Sequence, residues 1–164
     1  MNNSLLHRTL QSIFTVLLVV CSTQALAINA PDFSLPGDNK KVSLHDYRKK
    51  VVYVDFWASW CAPCKQSFPW MTEMQERYKK QGFEIIAINL DDDRDSALQF
   101  LERVSPGFTI AYDPEGKTAE SYGLTVMPSS YLIDRKGQLT AVHKGFKTTD
   151  KHEMEEKIKS LLGK

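Results

Sequence analysis

The run Val51-Val52-Tyr53-Val54-Asp55-Phe56 is almost continuously apolar and rich in β-branched and aromatic residues. That is the pattern of a strand covered on both faces. It leads straight into Trp57-Ala58-Ser59-Trp60-Cys61-Ala62-Pro63-Cys64, and the period then changes. Phe68, Met71, Met74 and Tyr78 recur at helical spacing, while Lys65, Glu73, Glu76 and Lys79 favour the other side. Pro69 falls inside this helix, expected from Pro63 to about Lys80, and should kink it. Gly82 closes the helix and Phe83 to Asn89 reads as a second strand. Strand, helix, strand implies a parallel pair with a right-handed crossover. Two cysteines therefore stand at a strand-to-helix junction, and one carboxyl, Asp55, stands in an otherwise apolar strand.

The rest of the chain fits the same scheme. Ala30 to Gly37 is an extended lead-in restricted by Pro31 and Pro36, and Val42-Ser43-Leu44 suggests a short strand. A helix is expected over Arg94 to Val104 with Ala97, Leu98 and Leu101 inward, then a strand at Phe108 to Ala111 and a short helix from Lys117 to Tyr122. Ser130 to Ile133 and Leu139 to His143 flank Asp134-Arg135-Lys136-Gly137, whose composition suits a hairpin turn. A closing helix from roughly Thr149 to Leu162 carries Met154, Ile158, Leu161 and Leu162 on one stripe.

At 164 residues and 42% apolar content the chain fits one globular domain, and its formal net charge of +1 gives no reason to expect a nucleic acid partner. Arg8 precedes the apolar run Ile13 to Cys21, and Ala25-Leu26-Ala27 offers the small residues of a signal cleavage site. Residues 1–27 are therefore expected to be a cleaved signal peptide, and 28–164 the folded domain. Retention of this segment as a membrane anchor is the alternative, and Leu18-Val19-Val20-Cys21 is a weak lipidation signal. Cleavage would remove Cys21 and leave Cys61 and Cys64 as a self-contained pair in an oxidising compartment.

Two thiols separated by Ala62 and Pro63 can close a disulfide without large backbone movement. Cys61 stands at the helix start, where unpaired amides and the helix dipole favour thiolate, which marks it as the nucleophile. It would attack a partner's disulfide, and Cys64 would then attack the mixed disulfide and release the reduced partner. Pro63 stiffens the bridge without sacrificing a needed backbone bond, and Ala62 adds no competing polar group. An inert disulfide would tie only a very short ring. A closed zinc site would need two further ligands, and His45, His143 and His152 are scattered rather than paired.

The stretch Val54 to Cys64 resembles the active-site segment of the thioredoxin superfamily. Ala30-Pro31-Asp32-Phe33-Ser34-Leu35, the long segment between Asn89 and Tyr122, and Val126-Met127-Pro128-Ser129-Ser130-Tyr131-Leu132-Ile133-Asp134 are similar to its exported TlpA and ResA-like branch. The resemblance covers about Ala30 to Leu162. It implies a three-layer α/β/α sandwich around a central mixed sheet, with Cys61 attacking and Cys64 resolving. It also implies that Asp55 is a buried acid assisting proton transfer at the second thiol, its pKa raised by burial, with a structural, hydrogen-bonded aspartate as the other reading. Pro128 matches the family's cis-proline, which would present the Met127 backbone to an extended substrate. Trp57 is expected in the core and Trp60 on an apolar docking rim, with Ala62 and Pro63 beside it. Ala87 stands where many thioredoxins carry a lysine near the buried acid, so no Lys–Asp pair is carried over. Glu84, Glu115 and Glu120 are read as surface residues.

The expectation is a periplasmic or otherwise extracytoplasmic thiol–disulfide oxidoreductase, monomeric when mature, acting on protein dithiols and disulfides. No NADPH, flavin or metal signal is present, so the resemblance implies electrons from a membrane thiol-transfer protein, with reduction of apocytochrome c or other exported proteins as the task. Its rivals are a general oxidant, a peroxiredoxin-like peroxidase and a copper-binding protein holding metal through Cys61 and Cys64.

Overall fold

The computed structural model describes residues 28–163. The expected signal peptide and its cleavage site lie outside these residues. Five strands form the central sheet in the order β5-β4-β3-β6-β7: β3 is Val51–Trp57, β4 Phe83–Asn89, β5 Thr109–Tyr112, β6 Ser129–Ile133 and β7 Leu139–Lys144. β3, β4 and β5 run parallel, and β6 and β7 turn antiparallel, so the sheet is mixed. The lead-in folds as a small hairpin of β1, Ser34–Pro36, and β2, Lys41–Ser43.

Helices cover both faces. α1 spans Ala62–Tyr78, α2 Arg94–Val104, α3 Lys117–Ser121 and α4 Lys151–Leu162. Every residue of β3 is buried, as its unbroken apolar pattern demands. Alternation along the strand sorts the core into two layers. Val51, Tyr53 and Trp57 face a cluster built with Cys64, Phe68 and Met71 of α1, Phe100 of α2 and Ile158 of α4. Val52, Val54 and Phe56 face Leu44, Ala119 and Tyr122 on the other side. Asp55 shares its parity with Tyr53 and Trp57, so it points into the layer that contains both cysteines.

Some local expectations change. Leu98 is 39% exposed, and Phe100 takes the inward position, packing its ring 4.9 Å from both Trp57 and Phe68. Glu84 is not a free surface residue: its side chain is 16% exposed and held by Lys50 Nζ at 2.8 Å and Gln75 Nε2 at 3.1 Å. α1 continues through Pro69 as one helix, and α4 begins at Lys151 after a 3₁₀ turn, Thr148–Asp150.

Candidate active site

β3 ends at Trp57, whose carbonyl accepts from Leu90 N at 2.9 Å, and the chain turns through Ala58, Ser59 and Trp60 into Cys61. Cys61 N donates to Ala58 O at 3.1 Å. Cys61 has extended backbone and is the N-cap of α1; its Sγ accepts from Cys64 N at 3.3 Å. The sulfur thus does what a serine or aspartate oxygen does at an ordinary helix start, taking one of the amides the first turn leaves unpaired. Pro63 in the first turn has no N–H to lose there. Cys61 and Cys64 are joined in a disulfide. Cys64 is fully buried, while Cys61 retains 5% of its surface, so the accessible edge of the pair belongs to the first cysteine. Ser67 Oγ donates to Cys64 O at 2.9 Å.

Trp60 is 69% exposed immediately before Cys61, whereas Trp57 is fully buried. Ala62 is exposed and Pro63 half-buried, so the two residues between the cysteines bring no charge to the rim. Val126, 45% exposed, and half-buried Met127 add apolar surface from the loop before β6. The Met127–Pro128 bond is cis. Phe56 pairs with Ser129 across β3 and β6, which brings Pro128 to the end of β3 from which the cysteine loop departs. Ser129 Oγ donates to Val126 O at 2.7 Å, and Gly145 N to Pro128 O at 2.7 Å, pinning that loop from two sides.

Asp55 is 1% exposed and is the register partner of Ala87 on one side and Ser130 on the other. Ser130 Oγ donates to Oδ1 at 2.8 Å; Oδ2 has no hydrogen-bond partner among the described residues. Burial raises its pKa to about 7, opposed by the Ser130 hydrogen bond. Nearby Tyr53 is raised well above the ordinary phenol range by burial and by the Asp55 charge. The structure therefore brings the two cysteines, Asp55 and the cis-proline loop to one end and one layer of the sheet. No motif marks a role for Ser130, Ser59 or Asp91; the alternation of β6, which gives Ser130 the same parity as core-facing Leu132, is the available signal for the first. Among the described residues, no three His, Cys, Asp or Glu cluster as a metal ion would require, and no helix is long and apolar enough to cross a membrane.

A three-layer sandwich with a Cys-Ala-Pro-Cys disulfide capping a helix defines a thiol–disulfide oxidoreductase of thioredoxin fold. Residues 26–159 match the Redoxin family, and the chain belongs to it. It is 35% identical over 133 residues to thiol-disulfide oxidoreductase ResA of Bacillus thuringiensis subsp. konkukian, covering 80% of this chain and 76% of the relative. ResA of Geobacillus kaustophilus is 33% identical over 153 residues, covering 92% and 86%. Among solved structures, the Chlorobium tepidum protein described as thiol:disulfide interchange protein DsbE superposes with a TM-score of 0.83 at 50% identity, covering 84% of this chain and 97% of that one. The chain is an extracytoplasmic redox enzyme. In general terms, its family membership implies a protein substrate and a membrane redox partner.

Proposed function

We propose that the enzyme reduces disulfides of exported proteins, apocytochrome c cysteines among them, and is recharged by a membrane thiol-transfer protein. Cys61 thiolate attacks one sulfur of the substrate disulfide; the other sulfur leaves with the bonding electrons and takes a proton. Cys64 then gives its proton to Asp55 and attacks Cys61 Sγ. The Cys61–substrate bond breaks, the second substrate sulfur leaves reduced, and the enzyme carries the disulfide. The donor's dithiol reverses this by the same exchange. Trp60, Ala62, Pro63 and the Met127 backbone before Pro128 form the ledge on which an extended substrate segment lies.

The observation that carries the two-cysteine scheme is Asp55, a buried carboxyl in the cysteine layer with one oxygen unpartnered and a pKa of about 7. Near neutral pH such a group exists in both protonation states, as proton transfer to and from a thiol requires. The reducing direction is supported by the ResA-like pattern of the sequence. An oxidant is the second reading, favoured by the Cys61 sulfur accepting a helix amide, which stabilises thiolate.

The equilibrium potential of the Cys61–Cys64 pair separates the two. Thiol trapping across glutathione and dithiothreitol buffers should give a value below about −220 mV for a reductant, whereas one near about −120 mV would make the oxidant reading correct.

A further inference from the structure

With a pKa of about 7, Asp55 exchanges its proton with solvent between the two half-reactions, and it has few exits. Its neighbour on β4 is Ala87, which has no polar side-chain atom. The core layer over it is aromatic and aliphatic apart from the two cysteines and tyrosine hydroxyls, that of Tyr53 among them. Its neighbour on β6 is Ser130, already bonded to it, and the register partner of Ser130 on β7 is His143. Paired residues on adjacent antiparallel strands project to the same face. Asp55, Ser130 and His143 therefore form a polar row from the centre of the sheet to its edge strand.

The outer half of that row is open to a small cleft. Ser130, His143, Tyr53 and Lys157 line it, and its volume of about 20 Å³ accommodates one water molecule. The His143 side chain is 25% exposed. Its Nε2 has no hydrogen-bond partner among the described residues, although Asp150 Oδ2 lies 3.3 Å away. The imidazole thus stands between the cleft and solvent, with Asp150 beside its buried Nε2.

We propose that Ser130 and His143 are the proton route between Asp55 and solvent, with one water in the cleft between them. The proposal rests on Asp55 acting as base for Cys64. Once Asp55 has taken the Cys64 proton, it passes a proton to Ser130 Oγ while the Ser130 hydroxyl proton moves outward to the water. The water gives one to the imidazole, which releases it to bulk. One proton crosses, no group keeps an added charge, and the electron pair stays in the thiol exchange. Recharging by the donor runs the route inward. Tyr53 from β3, Glu153 and Lys157 from α4, and Asp150 before it supply the other titratable groups around the row. Cys61, Cys64 and Tyr78 are the titratable groups that the α1 side adds to this layer.

The test is the rate of repeated turnover, in which Cys64 resolves mixed disulfides on Cys61 under excess dithiol donor, followed from about pH 6 to about pH 9 at low buffer concentration. Ser130→Ala and His143→Ala are each expected to slow it about tenfold near neutrality. Ser130→Thr should retain the rate, and free imidazole should restore His143→Ala saturably, a response that lost packing would not show. His143 lies on the edge strand, so its alanine variant keeps the imidazole arm decisive even if Ser130→Ala does not fold. An unchanged rate in His143→Ala, a slowed rate without imidazole rescue, or a loss confined to Tyr53→Phe would overturn the route. Asp55→Asn in the same assay tests the base itself: an unchanged pH profile there would remove the underlying reading, whereas an altered profile beside an unaffected His143→Ala would remove only the route.

Discussion

Asp91 holds Ser59 by three hydrogen bonds: the Ser59 amide donates to Oδ1 at 3.2 Å and Oδ2 at 2.9 Å, and its hydroxyl donates to Oδ1 at 3.0 Å. Asn89 Nδ2 donates to Asp91 Oδ2 at 2.7 Å, and the Asp91 amide donates to Asn89 Oδ1 at 3.1 Å. The segment leaving β4 is thereby locked to the loop that carries Trp60 and Cys61. Asp91→Ala strips partners from the half-buried Ser59 amide and from buried Asn89. The expected loss is about 2–3 kcal/mol, read from urea denaturation of the oxidised protein. The reaction of reduced Cys61 with a protein disulfide should slow as well, with Asp91→Asn recovering part of both because its amide oxygen still accepts.

Asp55 makes stability depend on pH. The folded carboxyl titrates near about 7, against an ordinary 3.8 for an unfolded chain. Between those values the folded state holds a proton that the unfolded state has lost, so stability falls as pH rises. The cost is absent below the lower value and complete above the upper one. At 1.36 kcal/mol per pH unit it amounts to about 4 kcal/mol. Asp55→Asn should therefore denature at higher urea than the parent at about pH 8.5 and show little advantage near about pH 4. Equal pH slopes for the two proteins would show that the Asp55 carboxyl titrates in its ordinary range.

Much of the fold was legible because β3, β4 and the helices carry unambiguous periods. β4 and α2 have the expected bounds, and the cysteine pair lies where strand passes to helix. The errors have physical causes. On α2, Ala97, Phe100, Leu101 and Val104 make the stripe at i, i+3, i+4 and i+7, and Leu98 lies beside it. Apolar identity alone puts Leu98 inward, whereas its angular position turns it toward solvent. Glu84 is drawn inward by Gln75 and Lys50, which are distant in sequence and leave no local mark. The same holds for Asp91 with Ser59 and for Ser130 with Asp55. These pairs exist only through strand order, so motif reading found the reacting sulfurs and missed the groups that hold their surroundings.

Sulfur order can be read directly from trapped intermediates. Cys64→Ser should accumulate a mixed disulfide between Cys61 and a protein substrate, visible as a covalent adduct by mass spectrometry, because no thiol remains to resolve it. Cys61→Ser should form little such adduct and lose activity by about 10³-fold or more, since Cys64 is fully buried behind it. Adduct formation through Cys64 in the Cys61→Ser protein at the parental rate would reverse the assignment.

The two tryptophans flanking the cysteine loop should separate stability from recognition. Trp57 is fully buried, packed against Phe68 at 5.0 Å and Phe100 at 4.9 Å between ring centroids. Trp57→Ala opens a large cavity, and about 3–5 kcal/mol of stability should go with it. Trp60 is 69% exposed, so Trp60→Ala should leave the urea midpoint within about 0.5 kcal/mol of the parent. If it forms the apolar rim where a protein substrate docks, Trp60→Ala should raise KM for a protein disulfide about tenfold, as loss of an aromatic anchor does. Its reaction with dithiothreitol, too small to need the rim, should keep its rate. Equal effects on protein and small-molecule exchange would instead tie Trp60 to the reactivity of Cys61 and free the docking ledge from it.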